Sequence, residues 1–154
     1  MWSKPEEGDY LIYDGGYVIL RDKDGYIKDM WEATSGVPGS GPEDQGKKDY
    51  GPIPEGEYTF SPQEVQHFDW YNPADWYRFK FRGDWGDNRV PLDPTPMTEI
   101  EQNRNDINRY GFFFHGGNFP GSAGCIDLGD NEEDFFNTIQ QYDHPLELKV
   151  IYVP

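Results

Sequence analysis

Glycine and proline interrupt this chain so often that long regular elements cannot form. Its 154 residues include 18 Gly and 13 Pro. The segments between them are short runs rich in β-branched and aromatic residues, which is typical of strands joined by turns. The clearest run is "WYRFKFRG", in which Tyr77, Phe79 and Phe81 alternate with basic residues. This period of two predicts a strand with one apolar face.

Other short runs point the same way. "DYLIY", "YVILRD", "YIKDMWEAT", "GEYTF", "NRVPLDP" and "LELKVIYV" all indicate strands separated by turn residues. The glycine- and proline-rich segment 35–55 is predicted to be a long loop at the rim of a cleft. The polar segment "TEIEQNRNDINRYG" fits either a helical turn or a loop.

One helix is predicted near residues 131–142. Asp130 or Asn131 as N-cap and an acidic first turn favour a helix start, and Phe135, Ile139 and Tyr142 then recur at helical spacing. The sequence therefore predicts a mainly β fold with one peripheral helix, in a single domain that covers the whole chain, 1–154.

The formal net charge of −16 limits the partners of this chain. It disfavours nucleic acid and anionic membranes, because phosphate binding needs clustered Lys and Arg. No apolar run approaches the ~20 residues that span a bilayer, so no membrane insertion is expected. The start "MWSKPEEGDY" does not resemble a secretory signal peptide. We therefore expect synthesis in the cytoplasm, followed by secretion without a signal peptide.

The stretch "FFFHGGNFPGSAGCIDL" places the only cysteine, Cys125, in a glycine-rich loop ten residues after His115. A thiolate can attack an acyl carbon, and a nearby imidazole can take the thiol proton. A fold-back of the loop would bring the two residues together and leave backbone N–H groups near the thiol for an oxyanion. The alternative interpretation is a buried, inert cysteine and a histidine that merely ends a strand.

The pattern H-G-G-N-F-P-G-S-A-G-C-I-D-L resembles the active-site motif of the L,D-transpeptidase catalytic family, in which a histidine precedes a Ser/Thr-x-Gly-Cys element. Between Tyr10 and Phe136, the ordered segments "SGVPG", "GPIPEGEYTF", "WGDNRVPLDP" and "YGFFFHGGNFPGSAGCIDL" resemble L,D-transpeptidase-related effectors of type VI secretion more closely. These effectors attack peptidoglycan in rival bacteria. Ala123 and Asp127 depart from the residues of many L,D-transpeptidases at these two positions, and the departure fits the effector branch.

The resemblance implies a β-sandwich-like fold with the cysteine in a cleft. It implies that Cys125 is the nucleophile, that His115 is its base, and that Ser122 supports the loop. Asp127 is expected either to orient His115, as third members of triads do, or to accept loop N–H groups.

The resemblance also implies a substrate-binding set. Arg89 is expected to bind a substrate carboxylate, since a guanidinium pairs with two carboxylate oxygens at once. The weaker candidates for this role are Arg78, Arg82 and Arg109. The remaining substrate-binding positions are expected to be the glycines Gly116, Gly117 and Gly124.

The implied substrate is the peptidoglycan stem peptide. The implied reaction is cysteine-dependent L,D-carboxypeptidation, exchange of the terminal D-Ala for a free D-amino acid, or both. The implied setting is an antibacterial effector that acts in the periplasm of a target bacterium. Its implied partners are a cognate immunity protein and a secretion-system delivery protein, and neither a cofactor nor a metal is expected.

Two other interpretations are open. Zinc binding by His115, Cys125 and Asp127 is disfavoured, because the sequence lacks a second cysteine or a paired histidine motif. A catalytically inactive cell-wall-binding or adaptor module on the same fold would need the cleft but not the thiol. Among the remaining candidates, His67 and His144 are expected in surface positions or loops. Five aromatic residues fit a sugar-binding cleft or, preferably, the core: Trp70, Tyr71, Trp76, Tyr77 and Trp85.

Overall fold

The computed structural model describes residues 4–67, 87–117 and 124–152, together with Pro73. These residues form ten strands and two α-helices. The strands are β1 (Tyr10–Tyr13), β2 (Tyr17–Arg21), β3 (Ile27–Glu32), β4 (Thr34–Ser35), β5 (Gly56–Phe60), β6 (Gln66–His67), β7 (Asn88–Pro94), β8 (Phe112–His115), β9 (Ile126–Asp127) and β10 (Leu146–Val150). The helices are α1 (Pro96–Arg104) and α2 (Glu132–Ile139).

The strands pair in the order β3-β2-β1-β10-β5-β7-β8-β9-β4, and β6 also pairs with β7. Strand β7 connects two halves of this path. Its last residues pair with β5, where Tyr58 lies opposite Pro94. Its first residues pair with β8, where Arg89 lies opposite His115. The N-terminal strands reach the rest of the sheet through β10, which runs parallel to β1 and antiparallel to β5.

Aromatic rings fill the space between the sheet and α2. Phe60 on β5 contacts Phe114 on β8 with ring centroids 5.3 Å apart. Phe114 lies 4.8 Å from Phe135 on α2, and Phe135 lies 5.1 Å from Trp31 on β3. Edge-to-face pairs of this kind add to the stabilisation that comes from burying the rings. The helix is therefore fixed directly against the strand that ends in His115.

The predicted mainly β fold is confirmed, and several predicted elements match in detail. The run "NRVPLDP" is β7 itself. The helix predicted near residues 131–142 begins after Asn131 and ends at Ile139, and its predicted apolar positions Phe135 and Ile139 are buried. Tyr142 is also buried but lies after the helix. The segment 35–55 forms no strand beyond Ser35 and contains a single 3-10 turn at Pro42–Asp44. The run "WYRFKFRG" lies outside the described residues.

The segment whose structure the sequence left open begins as helix α1. Thr95 caps it, because its side-chain oxygen accepts a hydrogen bond from the backbone N–H of Thr98. Pro96 occupies the first helical position, where the missing N–H costs nothing. In the part of the chain that the structure describes, no helix is long and apolar enough to cross a membrane.

Candidate active site

A row of polar residues crosses five neighbouring strands at one end of the sheet. The strand registers place these residues side by side. In order across the sheet they are Gln66 on β6, Arg89 on β7, His115 on β8, Asp127 on β9 and Thr34 on β4. Residues paired across strands point their side chains to the same face. The sheet therefore gathers an arginine, a histidine and an aspartate on one surface.

The neighbouring row explains why these polar residues share a face. The next row of the sheet is formed by residues adjacent in sequence to Arg89, His115 and Asp127. These are Val90, Phe114 and Ile126, which pair with one another across β7, β8 and β9 and have no exposed surface. Successive side chains of a strand alternate between faces. Since this second row belongs to the core, the row that contains His115 points away from it.

Cys125 lies directly before β9. The β8–β9 register pairs Phe114 with Ile126, and carrying it back one residue places Cys125 beside Phe113. Phe113 is two residues before His115 on the same strand, so these two side chains share a face. Cys125 is half-buried and carries a thiol rather than a disulfide. The end of the glycine-rich loop therefore lies beside the strand that ends in His115, and the pairing of Cys125 with His115 as nucleophile and base stays a prediction.

His115 is only 4% exposed, and its ring has a definite orientation. Its Nδ1 lies 2.5 Å from the backbone carbonyl oxygen of Gly116. A carbonyl can only accept, so Nδ1 carries the proton and donates it to this bond. The neutral imidazole then has Nε2 as its basic nitrogen. The tautomer that a general base requires is thus set by a main-chain oxygen.

Glu132, the first residue of α2, holds the strand end beside Gly116. Its Oε1 accepts the backbone N–H groups of Asp87 at 2.8 Å and Asn88 at 3.1 Å. Its Oε2 lies where a Cβ at Gly116 would point, so no larger residue fits at that position. Burial raises the pKa of Glu132, and the hydrogen bonds from Asp87 and Asn88 oppose this shift. The helix terminus therefore fixes the backbone that orients His115.

A second close approach lies beside Cys125. Gly124 has a φ of +87°, and a Cβ there would lie 2.6 Å from Nη2 of Arg109 and 2.8 Å from Cε1 of Phe112. Both the dihedral angle and the lack of space favour glycine. Arg109 is 9% exposed, and its guanidinium packs against the backbone that precedes Cys125.

Asp127 is 3% exposed and is the register partner of His115. Its Oδ1 accepts the backbone N–H of Gly129 at 2.8 Å, which is one of its two predicted roles. That it also orients His115 stays a prediction.

Arg89 lies on the other side of His115, directly opposite it on β7. Its Nε donates to Oε1 of Gln66 at 2.8 Å. Its guanidinium carbon lies 4.9 Å from the centroid of the Phe113 ring, which is within the range of a cation–π contact. The side chain is therefore held over Phe113, on the face of the sheet that also carries His115. Its role in carboxylate binding stays a prediction.

A cleft of about 420 Å³ opens next to this surface. Its lining includes Glu32 and Thr34 on one side and Gly117, Asp127, Asp130 and Asn131 on the other. The cleft borders Gly117, which was predicted to bind substrate.

Within the described ranges, no group of three or more His, Cys, Asp or Glu side chains could hold a metal ion.

Several predicted residues lie outside the described residues. They are Ser122, Arg78, Arg82 and the five aromatic residues Trp70, Tyr71, Trp76, Tyr77 and Trp85. Conversely, the sequence analysis missed two contributions to the site. The main-chain oxygen of Gly116 has no signature of its own, although a glycine directly after the histidine is compatible with tight backbone packing. Glu132 was predicted only as a favourable charge at a helix start.

The geometry agrees with the comparison with known protein families. Residues 9–151 match the YkuD family, the L,D-transpeptidase catalytic domain. A search of curated proteins found no significant match. The family match covers nearly the whole chain and includes His115, Cys125 and the strands that carry them. The chain therefore belongs to the YkuD family of L,D-transpeptidase catalytic domains.

Proposed function

We propose that this protein is a cysteine L,D-carboxypeptidase, D-amino acid exchange enzyme, or both, acting on peptidoglycan stem peptides. Membership of the YkuD family makes it an L,D-transpeptidase-type peptidoglycan enzyme. The observation that carries the finer proposal is the position of Cys125 directly before β9, which pairs with the strand that ends in His115, together with the bond from Nδ1 of His115 to the Gly116 carbonyl.

In the first half of the reaction, Nε2 of His115 takes the proton from the Cys125 thiol. The thiolate sulfur attacks the carbonyl carbon of the peptide bond between the diamino acid at stem position three and D-Ala at position four. The carbonyl electron pair moves to the carbonyl oxygen. Backbone N–H groups of the glycine-rich loop before Cys125, here called the cysteine loop, stabilise the negative charge on this oxygen. As this intermediate collapses, the C–N bond breaks and the histidine returns its proton to the leaving amine. D-Ala departs and a thioester remains.

In the second half, the acceptor decides the product. Water attacks the thioester carbonyl while His115 accepts its proton, and the thiolate leaves and is reprotonated. The net result is hydrolysis to a tripeptide. A free D-amino acid that attacks through its amine instead gives exchange. Either product deprives the stem of the D-Ala that normal L,D cross-linking consumes.

The charges around the site suit a zwitterionic substrate. The stem peptide carries carboxylates, and Arg89 offers a guanidinium on the face of the sheet that also carries His115. The diamino acid also carries an amine, and the cleft beside Asp127 has Glu32 and Asp130 in its lining. These positions support a pose in which the scissile bond crosses the row between Arg89 and Asp127.

We extend this proposal to an effector role. The ordered segments that resemble type VI secretion effectors support an antibacterial toxin that acts in the periplasm of a target bacterium. Such a toxin would be made in the cytoplasm, carried by a delivery protein, and neutralised in the producer by an immunity protein that covers the cleft.

The test is mass spectrometry of purified tetrapeptide muropeptides after incubation with the protein, with and without a free D-amino acid. The wild type is expected to remove terminal D-Ala or replace it with the added amino acid. Cys125→Ala is expected to give no product, and His115→Ala a rate at least ~10²-fold lower, since it removes the general base. His144→Ala serves as the matched histidine control and should keep the wild-type rate.

Unchanged tetrapeptides across a pH series, with folded wild-type protein, would contradict the enzymatic proposal. The alternative, a cell-wall-binding module without catalysis, then becomes the better interpretation. It predicts that wild type and Cys125→Ala sediment with isolated peptidoglycan to the same extent and that neither changes its stems.

A further inference from the structure

The guanidinium of Arg109 is buried beside the cysteine loop without a carboxylate partner in an ion pair among the described residues. It donates to three backbone carbonyl oxygens: Nη1 to Gln45 at 2.7 Å and to Pro52 at 2.8 Å, and Nη2 to Gly51 at 2.9 Å. Carbonyl oxygens satisfy the N–H groups but carry no net charge. The full positive charge of the arginine therefore stays inside the protein.

This charge lies next to the nucleophile. Nη2 of Arg109 packs against the α-carbon of Gly124, the residue before Cys125. The guanidinium also lies 5.5 Å from the centroid of the Phe112 ring on β8. Burial lowers the pKa of Arg109, whereas electrostatic attraction to Tyr58, Tyr152, Asp49 and Cys125 acts in the opposite direction. The interaction between Arg109 and Cys125 acts on both groups, and a fixed positive charge beside a thiol favours the ionised form of the thiol.

We propose that Arg109 is a positioning residue of the active site: it ties the loop 45–52 to the backbone of the cysteine loop and supplies a fixed positive charge that favours the Cys125 thiolate. This inference rests on the proposed function, because it assigns Arg109 to activation of the same nucleophile. It differs from the sequence expectation, in which Arg109 was a weaker candidate for binding a substrate carboxylate.

Other charges also act on the thiol. Among the described residues, the titratable and charged groups near the thiol include His115 on β8, Asp127 on β9, and Arg89 and Asp93 on β7. Around Arg109 itself they are Tyr58 on β5, Tyr152 after β10, and Asp49. His115 can exchange a proton with the thiol, so its charge depends on the reaction. Arg109 differs from it because a guanidinium stays charged at every pH of interest. Its contribution is therefore present before the histidine takes the proton.

The experiment measures the thiolate directly, without turnover. Mass spectrometry follows the rate at which iodoacetamide alkylates Cys125 from about pH 4 to about pH 10. This range covers the pKa of an ordinary thiol and values well below it. Arg109→Gln is expected to move the midpoint upward by about one pH unit, since a nearby opposite charge shifts a pKa by about that much or more. Below both midpoints, the variant has less thiolate than the wild type, which slows alkylation. Its thiolate is also the better nucleophile, which makes up part of this loss, so the net rate should fall only about three- to fourfold.

Two arginine variants separate charge from structure. Arg109→Lys keeps the charge but cannot bond three carbonyls in the same way, so it should retain most of the wild-type midpoint while lowering the thermal midpoint of unfolding. Arg104→Gln removes an equal charge from the exposed end of α1 and should leave the alkylation profile unchanged. An effect of overall charge alone would move both glutamine variants alike and would overturn the proposal.

A third variant works even if Arg109→Gln does not fold. Asp49 is exposed, interacts with Arg109, and has a φ of 61°, a conformation that asparagine also tolerates. Asp49→Asn removes the negative charge that partly offsets the guanidinium, so the Cys125 midpoint should fall by a few tenths of a pH unit. An unchanged or higher midpoint in this variant would overturn the proposal.

The wild-type profile distinguishes the two proposals. A wild-type midpoint near that of an ordinary thiol, about 8.5, would overturn both thiol activation and the role of Arg109. A low wild-type midpoint that folded Arg109→Gln shares would overturn the role of Arg109 alone and leave the proposed reaction intact.

Discussion

At the scale of single residues, the site depends on groups with no side-chain chemistry of their own. The carbonyl oxygen of Gly116 accepts the hydrogen bond that orients His115. The bare α-carbons of Gly116 and Gly124 admit the carboxylate of Glu132 and the guanidinium of Arg109. A larger residue at either glycine would push a charged group away from the catalytic pair. The geometry of the pair is therefore set by close backbone packing.

Glu132 gives a pH-dependent prediction. Burial places its folded-state pKa above its ordinary value, so between the unfolded and folded pKa values the folded state holds a proton that the unfolded state has released. Stability must then fall as the pH rises through this window. Glu132→Gln keeps an oxygen acceptor for Asp87 and Asn88 but cannot ionise. The free energy of unfolding, measured by urea titration from about pH 4 to about pH 7, should fall less with pH in this variant than in the wild type. The range begins near 4.5, the ordinary pKa of a glutamate.

A matched control for this experiment is Glu133→Gln on the same helix turn, since Glu133 is exposed. It should follow the wild-type curve. If Glu132→Gln also follows that curve, the side chain is not desolvated in the way its contacts indicate.

The residues of the candidate pair are visible in the sequence, but their supports are not. A lone cysteine in a glycine-rich loop after a histidine is visible as a pattern, and the structure places the strand after Cys125 beside the strand that ends in His115. The contact between Glu132 and Asn88 joins residues 44 positions apart, so no local spacing signals it. Arg109 likewise bonds carbonyls 57 to 64 positions away. Only the fold creates these environments.

At the scale of elements, a buried ion pair holds β3 to the start of β1 and to the end of α2. Nζ of Lys28 lies 2.6 Å from Oδ2 of Asp9, and the same oxygen accepts the hydroxyl of Tyr142. The side chains of Lys28 and Asp9 are 8% and 1% exposed. Burial opposes the charge on Lys28, but its hydrogen bonds to Asp9 and Glu6 outweigh this and raise its pKa.

Breaking this pair should be costly. Lys28→Met leaves the carboxylate of Asp9 buried with less compensation, so it should lower the free energy of unfolding by about 3 kcal/mol. Asp9→Asn in the same chain should recover much of that loss. Lys47→Met is the matched control, because the Lys47–Asp44 pair involves an exposed lysine and should contribute at most about 1 kcal/mol. Equal losses for both lysine variants in urea titrations would contradict this account.

Strands were easier to predict than helix α1. Alternating apolar residues in β1, β5 and β10 signal their buried face directly. In α1 the buried residues are Thr98 and Gln102, which are polar, so no apolar stripe marks the helix. Gln102 is held instead by Tyr58, whose hydroxyl accepts from Nε2 at 3.0 Å. Strands β4, β6 and β9 have two residues each, too few for any periodicity to be read.

At the scale of the whole molecule, the charge of −16 opposes an anionic substrate. Long-range repulsion slows encounter, and salt screens it over a distance that shrinks from about 30 Å at 0.01 M to about 8 Å at 0.15 M ionic strength. For muropeptide hydrolysis, kcat/KM should therefore rise several-fold over this range, while kcat changes little.

A muropeptide whose carboxylates are converted to amides is the matched substrate for this measurement. Its kcat/KM should be nearly independent of salt. A fall in kcat/KM with salt for the ordinary muropeptide would instead mean that local attraction, with Arg89 as its candidate source, dominates the encounter.

The place of β10 in the sheet has a consequence for biosynthesis. Residues 146–150 separate the first three strands from the strands that carry Cys125 and His115, and such distant pairings form late because a long loop must close first. On the ribosome, β1 and β5 cannot join one continuous sheet until this strand has emerged. A premature stop or a cut upstream of Leu146 should therefore leave no partly active fragment.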